Sequence, residues 1–214
     1  MKKLLLALVV VLFSMSAFSQ TRLYVNPAFG QKTINHKEIA VLPFQVTLKL
    51  RPKQMRDITP QQLMDMEYSQ GKGIQSAMFS WFLARGKKGQ LKVRVQNPMI
   101  TNAILGKKEI TIKNITDYTP KELANFLGVD AVVMGTFETN KPLSTGASIA
   151  LGVLTGFYGN TNKAVMNLFI YNGKDGEVLV NYHKAIAGSL GSTVEGMVNI
   201  LMRKASRRIP YFKK

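Results

Sequence analysis

Apolar positions along the chain fall into runs, alternations and helical spacings that mark out its elements in turn. "IAVL" (Ile39–Leu42) is continuous, as in a strand covered on both faces. Pro43 follows it and has no N–H to give a neighbouring strand, so the strand must end, bulge or reach a sheet edge there. Val46, Leu48 and Leu50 then alternate with Thr47 and Lys49, the pattern of a strand with one wet face. Thr59–Gly86 has the spacing of a long helix. Thr59 is placed to cap it and Pro60 to start it, and Leu63, Met66, Glu67, Gln70, Ile74, Met78, Trp81 and Phe82 follow one side. Gly71 and Gly73 each weaken its middle by about 1 kcal/mol relative to alanine. They mark either a bend or the close approach of another backbone.

Further on, Leu91, Val93 and Val95 alternate with Lys92 and Arg94 in a half-exposed strand, and Asn97 caps a short helix. Thr119, Pro120 and Glu122 repeat the helix-start chemistry, and Gly128 ends that helix before a strand over Val129–Phe137. Lys163–Ala187 reads as two strands joined through Asn172–Gly176, whose Asn, Asp and glycines suit a hairpin turn. A final helix over about Ser192–Arg208 buries Val194, Met197, Val198, Leu201 and Ala205. The predicted order is β-α-β-α-α-β-β-β-α, without internal repeat: an α+β fold in which helices pack on a mixed β-sheet.

The two ends of the chain read differently. Lys2 and Lys3, the apolar run Leu4–Phe13, and the small residues Ala17 and Ser19 form the pattern of a signal peptide cleaved after Ser19. The apolar run falls short of the roughly 20 residues that span a bilayer. Residues 1–19 are therefore expected to be a signal peptide, 20–36 an N-terminal arm or linker, and 37–214 one domain of an exported protein. There is no cysteine. That removes disulfides, thiolate metal sites, cysteine nucleophiles and the acylated cysteine of a bacterial lipoprotein. The expected location is the periplasm or the outer-membrane periphery, without lipid anchoring.

Charge narrows the partners. The chain has 29 Lys and Arg against 12 Asp and Glu, and setting Lys2 and Lys3 aside leaves a net +15. Such an excess favours anionic surfaces, which for an exported protein are envelope surfaces. Nucleic acid is disfavoured by export and by the lack of an aromatic-plus-basic strand signature.

The catalytic inventory is thin. His36 and His183 are the two histidines, too few for a multi-histidine metal site, and both fit strand-end positions. Sequence signatures of serine hydrolases, zinc proteases and phosphate-binding loops do not occur. Asp175 and Glu177 belong to a turn, and Asp65 and Glu67 sit near a helix start, where negative charge complements the dipole. No catalytic, cofactor-binding or metal residue is nominated, so the chain is expected not to be an enzyme. The alternative is a periplasmic enzyme, hydrolytic, whose site these patterns do not reveal.

Two stretches are candidates for partner binding. In "MRKASRRIPYFKK", Arg203 with Arg207 and Lys204 with Arg208 are i,i+4 pairs that form a cationic stripe. It could meet anionic lipid or an acidic protein, or it is simply a solvated helix end whose aromatic neighbours pack inward. Residues 144–162 are uncharged, rich in Ala and Gly, and interrupt what would otherwise be a hairpin. Ile149, Leu151, Leu154, Phe157 and Tyr158 make this insertion apolar. It folds back onto its own domain, meets an envelope protein or a second copy, or touches a membrane.

The order of elements, with "IAVLPF" opening the domain and "LGVDAVVMGTF" leading to a strand run that contains "NGKDGEVL", resembles a family. It is the periplasmic α/β domain shared by the TolB amino-terminal domain, the curli-secretion subunit CsgG and the activator LpoB. The resemblance covers about Lys37–Arg208. It implies non-enzymatic work in the cell envelope through protein–protein binding, as a subunit or accessory factor of an assembly or secretion complex. The insertion lacks the alternation of a barrel hairpin, so a pore is not implied.

Overall fold

The computed structural model describes residues 21–50, 52–56, 58–140, 163–187 and 194–212. Its first residues correct one expectation. Thr21–His36, read as an arm, begins with strand β1 (Thr21–Val25), which pairs antiparallel with a late strand from Thr21↔Lys184 to Val25↔Val180. The Asn26 side chain accepts the Ala28 N–H at 2.9 Å in the turn that follows. Helix α1 (Phe29–Lys32) is then pinned by Lys32 to Asp175 at 2.6 Å and to Glu177 at 3.1 Å. Five mixed residues are too few to separate a strand from a linker by pattern alone.

Pro43 divides the next strand as its missing N–H requires. β2 (Glu38–Val41) stops before it and β3 (Gln45–Leu48) begins after it. Helix α2 (Pro52–Met55) leads to α3 (Pro60–Lys87), which starts with a capping box between Thr59 and Gln62. Between β2 and β3 the chain turns towards α3, where the Phe44 N–H donates to the Gly71 carbonyl at 3.3 Å. A Cβ on Gly71 would lie 2.1 Å from the Phe44 oxygen, whereas one on Gly73 would meet nothing within 4 Å. Gly71 is thus the close backbone approach, and Gly73 is not.

β4 is only Arg94–Val95, and helix α4 (Pro98–Lys107) follows it under an Asn97 cap. A 3-10 turn at Ile115–Asp117 precedes α5 (Pro120–Leu127), which the Thr119–Glu122 capping box starts and Gly128 ends at φ 66°. β5 (Ala131–Thr139), β6 (Lys163–Asn172) and β7 (Val178–Ala187) follow, and α6 (Val194–Ser206) is the last helix. The seven strands form one mixed sheet, in the order β1-β7-β6-β5-β2-β4. β2 and β3 lie end to end along β5, both parallel to it.

Each face of the sheet has its own core. One holds Ile39, Val41, Phe137, Met166, Leu168 and Tyr182 beneath α3 and α6, with Ile74, Met78, Phe82, Val198 and Leu201 packed on them. The other, between the sheet and α4–α5, holds Ala40, Leu42, Val132, Leu105, Leu123 and Leu127. The chain end closes the first core. Tyr211 meets Phe29 edge-on with ring centres 5.1 Å apart, Phe212 stacks on Phe82 at 5.5 Å, and Ile209 is buried beside them.

Candidate binding surface

β6 has apolar residues on both sides. Ala164, Met166, Leu168 and Ile170 are fully buried in the first core, while Val165, Asn167, Phe169 and Tyr171 between them point the opposite way and are half-buried. The strand registers carry that second face across the sheet. Gln45, Thr136, Asn167, His183 and Arg22 fall in one row. Met134, Phe169, Asn181 and Tyr24 form the next. On the other side of the first row lie Glu138, Val165 and Ala185. At the usual spacing of strands, the five-strand row extends about 19 Å.

α4 and α5 cover this face around β2, β5 and the Tyr171 end of β6, with their hydrophobic contacts reaching Met134 and Tyr171. Among the described residues no helix lies on this side over β7, β1 or the Val165–Phe169 part of β6. The polar groups there are arranged rather than random. His183 Nδ1 donates to Asn167 Oδ1 at 3.0 Å, and the Asn181 amide donates to the Leu168 carbonyl at 3.4 Å. Phe169 and Tyr171 stack with ring centres 5.6 Å apart. Fixed amides beside stacked rings offer apolar area and directed hydrogen bonds on one surface, the composition of a protein interface.

The row ends in a groove of about 590 Å³ between β3, the first half of α3 and the loop at Ile112. Gln45 and Thr136 belong to both groove and row. Met64 and Tyr68 of α3 line the groove, and Lys72 places its ammonium 4.3 Å from the centre of the Tyr68 ring.

Arg203 and Lys204 are exposed on the last turn of α6, and Arg207 and Arg208 are exposed in the turn beyond, where the helix has ended. β7, against which α6 packs, carries a buried lysine, Lys184, hydrogen-bonded to the Thr21 hydroxyl. Burial above all, and then Lys204 and Arg208, push its ammonium below the ordinary lysine value. The aromatic neighbours of the stripe are not surface, because Tyr211 and Phe212 point into the core. Ile149, Leu151, Leu154, Phe157 and Tyr158, with the whole 144–162 insertion and residues 1–19, lie outside the described residues. The half-buried face of β6–β7 was not singled out in the sequence. Its signal was the nearly unbroken apolar run of Ala164–Tyr171, which demands two covered faces.

The titratable residues at the far end of the sheet form a clamp. A polar cleft of about 550 Å³ there is lined by His36, Asp130, Asn172 and Asp175. Partial burial acts to raise the Asp130 carboxyl, but the N–H groups of Glu38 and Lys37, at 2.9 and 2.6 Å, hold it below the usual range. His36 Nδ1 shares a hydrogen bond with the Tyr211 hydroxyl, and Asn172 also bonds the ring. Burial lowers the imidazole pKa of His36 and raises the phenol pKa of Tyr211 well above its ordinary value. Each group is thereby engaged in joining β2, β5 and the chain end.

No family model matches the chain, and no curated protein does either. Solved structures with a similar course include the PelC dodecamer from Paraburkholderia phytofirmans, at 15% identity, covering 87% of this chain and 94% of that one, with a TM-score of 0.45. Lipoprotein GNA1162 from Neisseria meningitidis is 14% identical over 81% of this chain and 96% of its own, with a TM-score of 0.43. The hypothetical protein CT253 from Chlamydia trachomatis is 15% identical over 81% and 95%, with a TM-score of 0.35. No residue role is carried across from them.

Proposed function

We propose that this is an exported protein of the cell envelope that works by binding, not by chemistry, and that the open face of β6, β7 and β1 is where a protein partner docks. The TolB, CsgG and LpoB resemblance, with its role as a subunit or accessory factor of an envelope assembly, belongs to this proposal. One observation carries it. β6 is apolar on both sides, yet among the described residues helices cover one side along its length and the other only at Tyr171. Leaving the uncovered parts of Val165 and Phe169 in water costs about 25 cal/mol for each Å² of apolar surface, and a partner recovers that. The stripe Arg203, Lys204, Arg207 and Arg208 then serves as an electrostatic guide towards anionic envelope surfaces. Contact with a membrane is assigned to this charged surface.

The test is a charge placed on the face. Phe169→Asp, expressed with its export segment, is expected to keep the circular dichroism of the unmodified protein. It should elute from a gel-filtered envelope extract at a smaller size than the unmodified protein does. Leu83→Asp, at an exposed position on α3, should leave the size unchanged. Identical elution of all three would remove the face from the function.

A further inference from the structure

β1 is the outermost strand on its side of the sheet. One bond gives its hydrogen-bonding phase. The Asn26 N–H donates to the Leu179 carbonyl at 2.9 Å, in the register that sets Val25 opposite Val180. Bonded and non-bonded positions alternate along an antiparallel pair. Arg22 and Tyr24 therefore turn their backbone groups to β7, and Thr21, Leu23 and Val25 turn theirs outward. Natural edge strands are usually guarded by lysine, proline, a bulge or a covering element. β1 has one charged residue, Arg22, but no lysine, proline or bulge, and among the described residues no backbone group pairs with its outward side. Leu23 and Tyr24 are 40% and 47% exposed on it.

We infer that β1 pairs antiparallel with β1 of a second copy of this chain, about a two-fold axis at Leu23. This goes beyond the docking face proposed above, since it uses the edge of the sheet and needs no foreign partner. In that register Leu23 stands opposite Leu23, Thr21 opposite Val25 and Arg22 opposite Tyr24. The outward residues meet as hydrogen-bonded pairs, so each outward N–H finds a carbonyl. Arg22 and Tyr24 meet as a non-hydrogen-bonded pair with Cα atoms about 4.5 Å apart, close enough to set the guanidinium against the ring. Charge selects this register. An axis at Arg22 would oppose two like charges, and an axis at Tyr24 would leave Arg22 without an aromatic opposite it. A one-residue slip would send apolar side chains to the wrong face. The open rows ending at Arg22 and Tyr24 then run across the axis into the second copy. The chain is strongly cationic, with a formal charge of +17, so screening by salt should strengthen the dimer.

The absence of native cysteine allows a direct test. In an Arg22→Cys/Tyr24→Cys double variant, the two thiols of one strand lie near the limit of disulfide reach, roughly 6.5 Å between Cα atoms, while their counterparts across the axis lie within it. Mild oxidation should yield a covalent dimer from the double variant, and at least tenfold less from Arg22→Cys alone. Leu23→Pro removes an outward N–H without touching a β1–β7 bond. It should raise the dimer dissociation constant at least tenfold by light scattering, with circular dichroism unchanged. If Leu23→Pro fails to fold, the cysteine pair decides. A protein monomeric at every concentration and salt overturns the inference, as does equal crosslinking of the single and double variants or a dimer indifferent to Leu23→Pro.

Discussion

Gly71 and Gly73 stand two positions apart in one helix and look alike in sequence, but their surroundings give opposite expectations. A methyl at Gly71 would run into the Phe44 carbonyl, a backbone atom that cannot rotate away, whereas one at Gly73 enters open space. Gly71→Ala is expected to destabilise the protein by about 1–3 kcal/mol, the usual cost of overpacking. Gly73→Ala should be neutral or stabilise it by up to about 1 kcal/mol through helix propensity. Urea unfolding of the two variants measures both, and a Gly71→Ala protein as stable as its parent would refute the close approach. The sequence allowed for a bend or a close approach but could not divide the two glycines. The dividing contact comes from Phe44, 27 residues away in the chain. The capping residues Thr59 and Thr119 were legible because their partners Gln62 and Glu122 lie three residues on.

Among elements, the chain end depends on a titratable contact. His36 holds Tyr211, and Asp130, Asp175 and Asn172 face the same ring. Burial lowers the His36 pKa from 6.5 in the folded protein, so the folded state prefers the neutral ring. That contribution is fully present above the unfolded value and is lost as pH falls through the folded one. Unfolding free energy should therefore be lower at a pH below 6.5 than at one above it, and His36→Gln should lack that part of the drop. Urea titrations at both pH values check this, and equal slopes in the two proteins would contradict it. The Asp130 carboxyl, also lowered, acts in a separate window below its ordinary 3.8. Element types were largely legible, since apolar period and caps are local. β1 was not, because its strand character comes from pairing with β7, far off in the chain. The open face was half-legible: the run Ala164–Tyr171 shows that β6 needs cover on both sides, but only the packing shows which side the helices cover no further than Tyr171.

For the whole molecule, charge and shape divide the surface into regions with different uses. Arg203, Lys204, Arg207 and Arg208 give the end of α6 a cationic surface, the rows of β5, β6 and β7 are nearly uncharged, and β1 joins those rows to an edge that is open among the described residues. In the function proposed above, these three regions would join envelope components. Docking on the uncharged rows is the central claim of that proposal. The most direct measurement is site-specific photocrosslinking in the producing cell, with benzoylphenylalanine in place of Phe169, of His183 or of the exposed Met99 on α4. Discrete adducts at Phe169 and His183 with none at Met99 are predicted. Adducts at Met99 alone, or none at either sheet position, would contradict docking on this face.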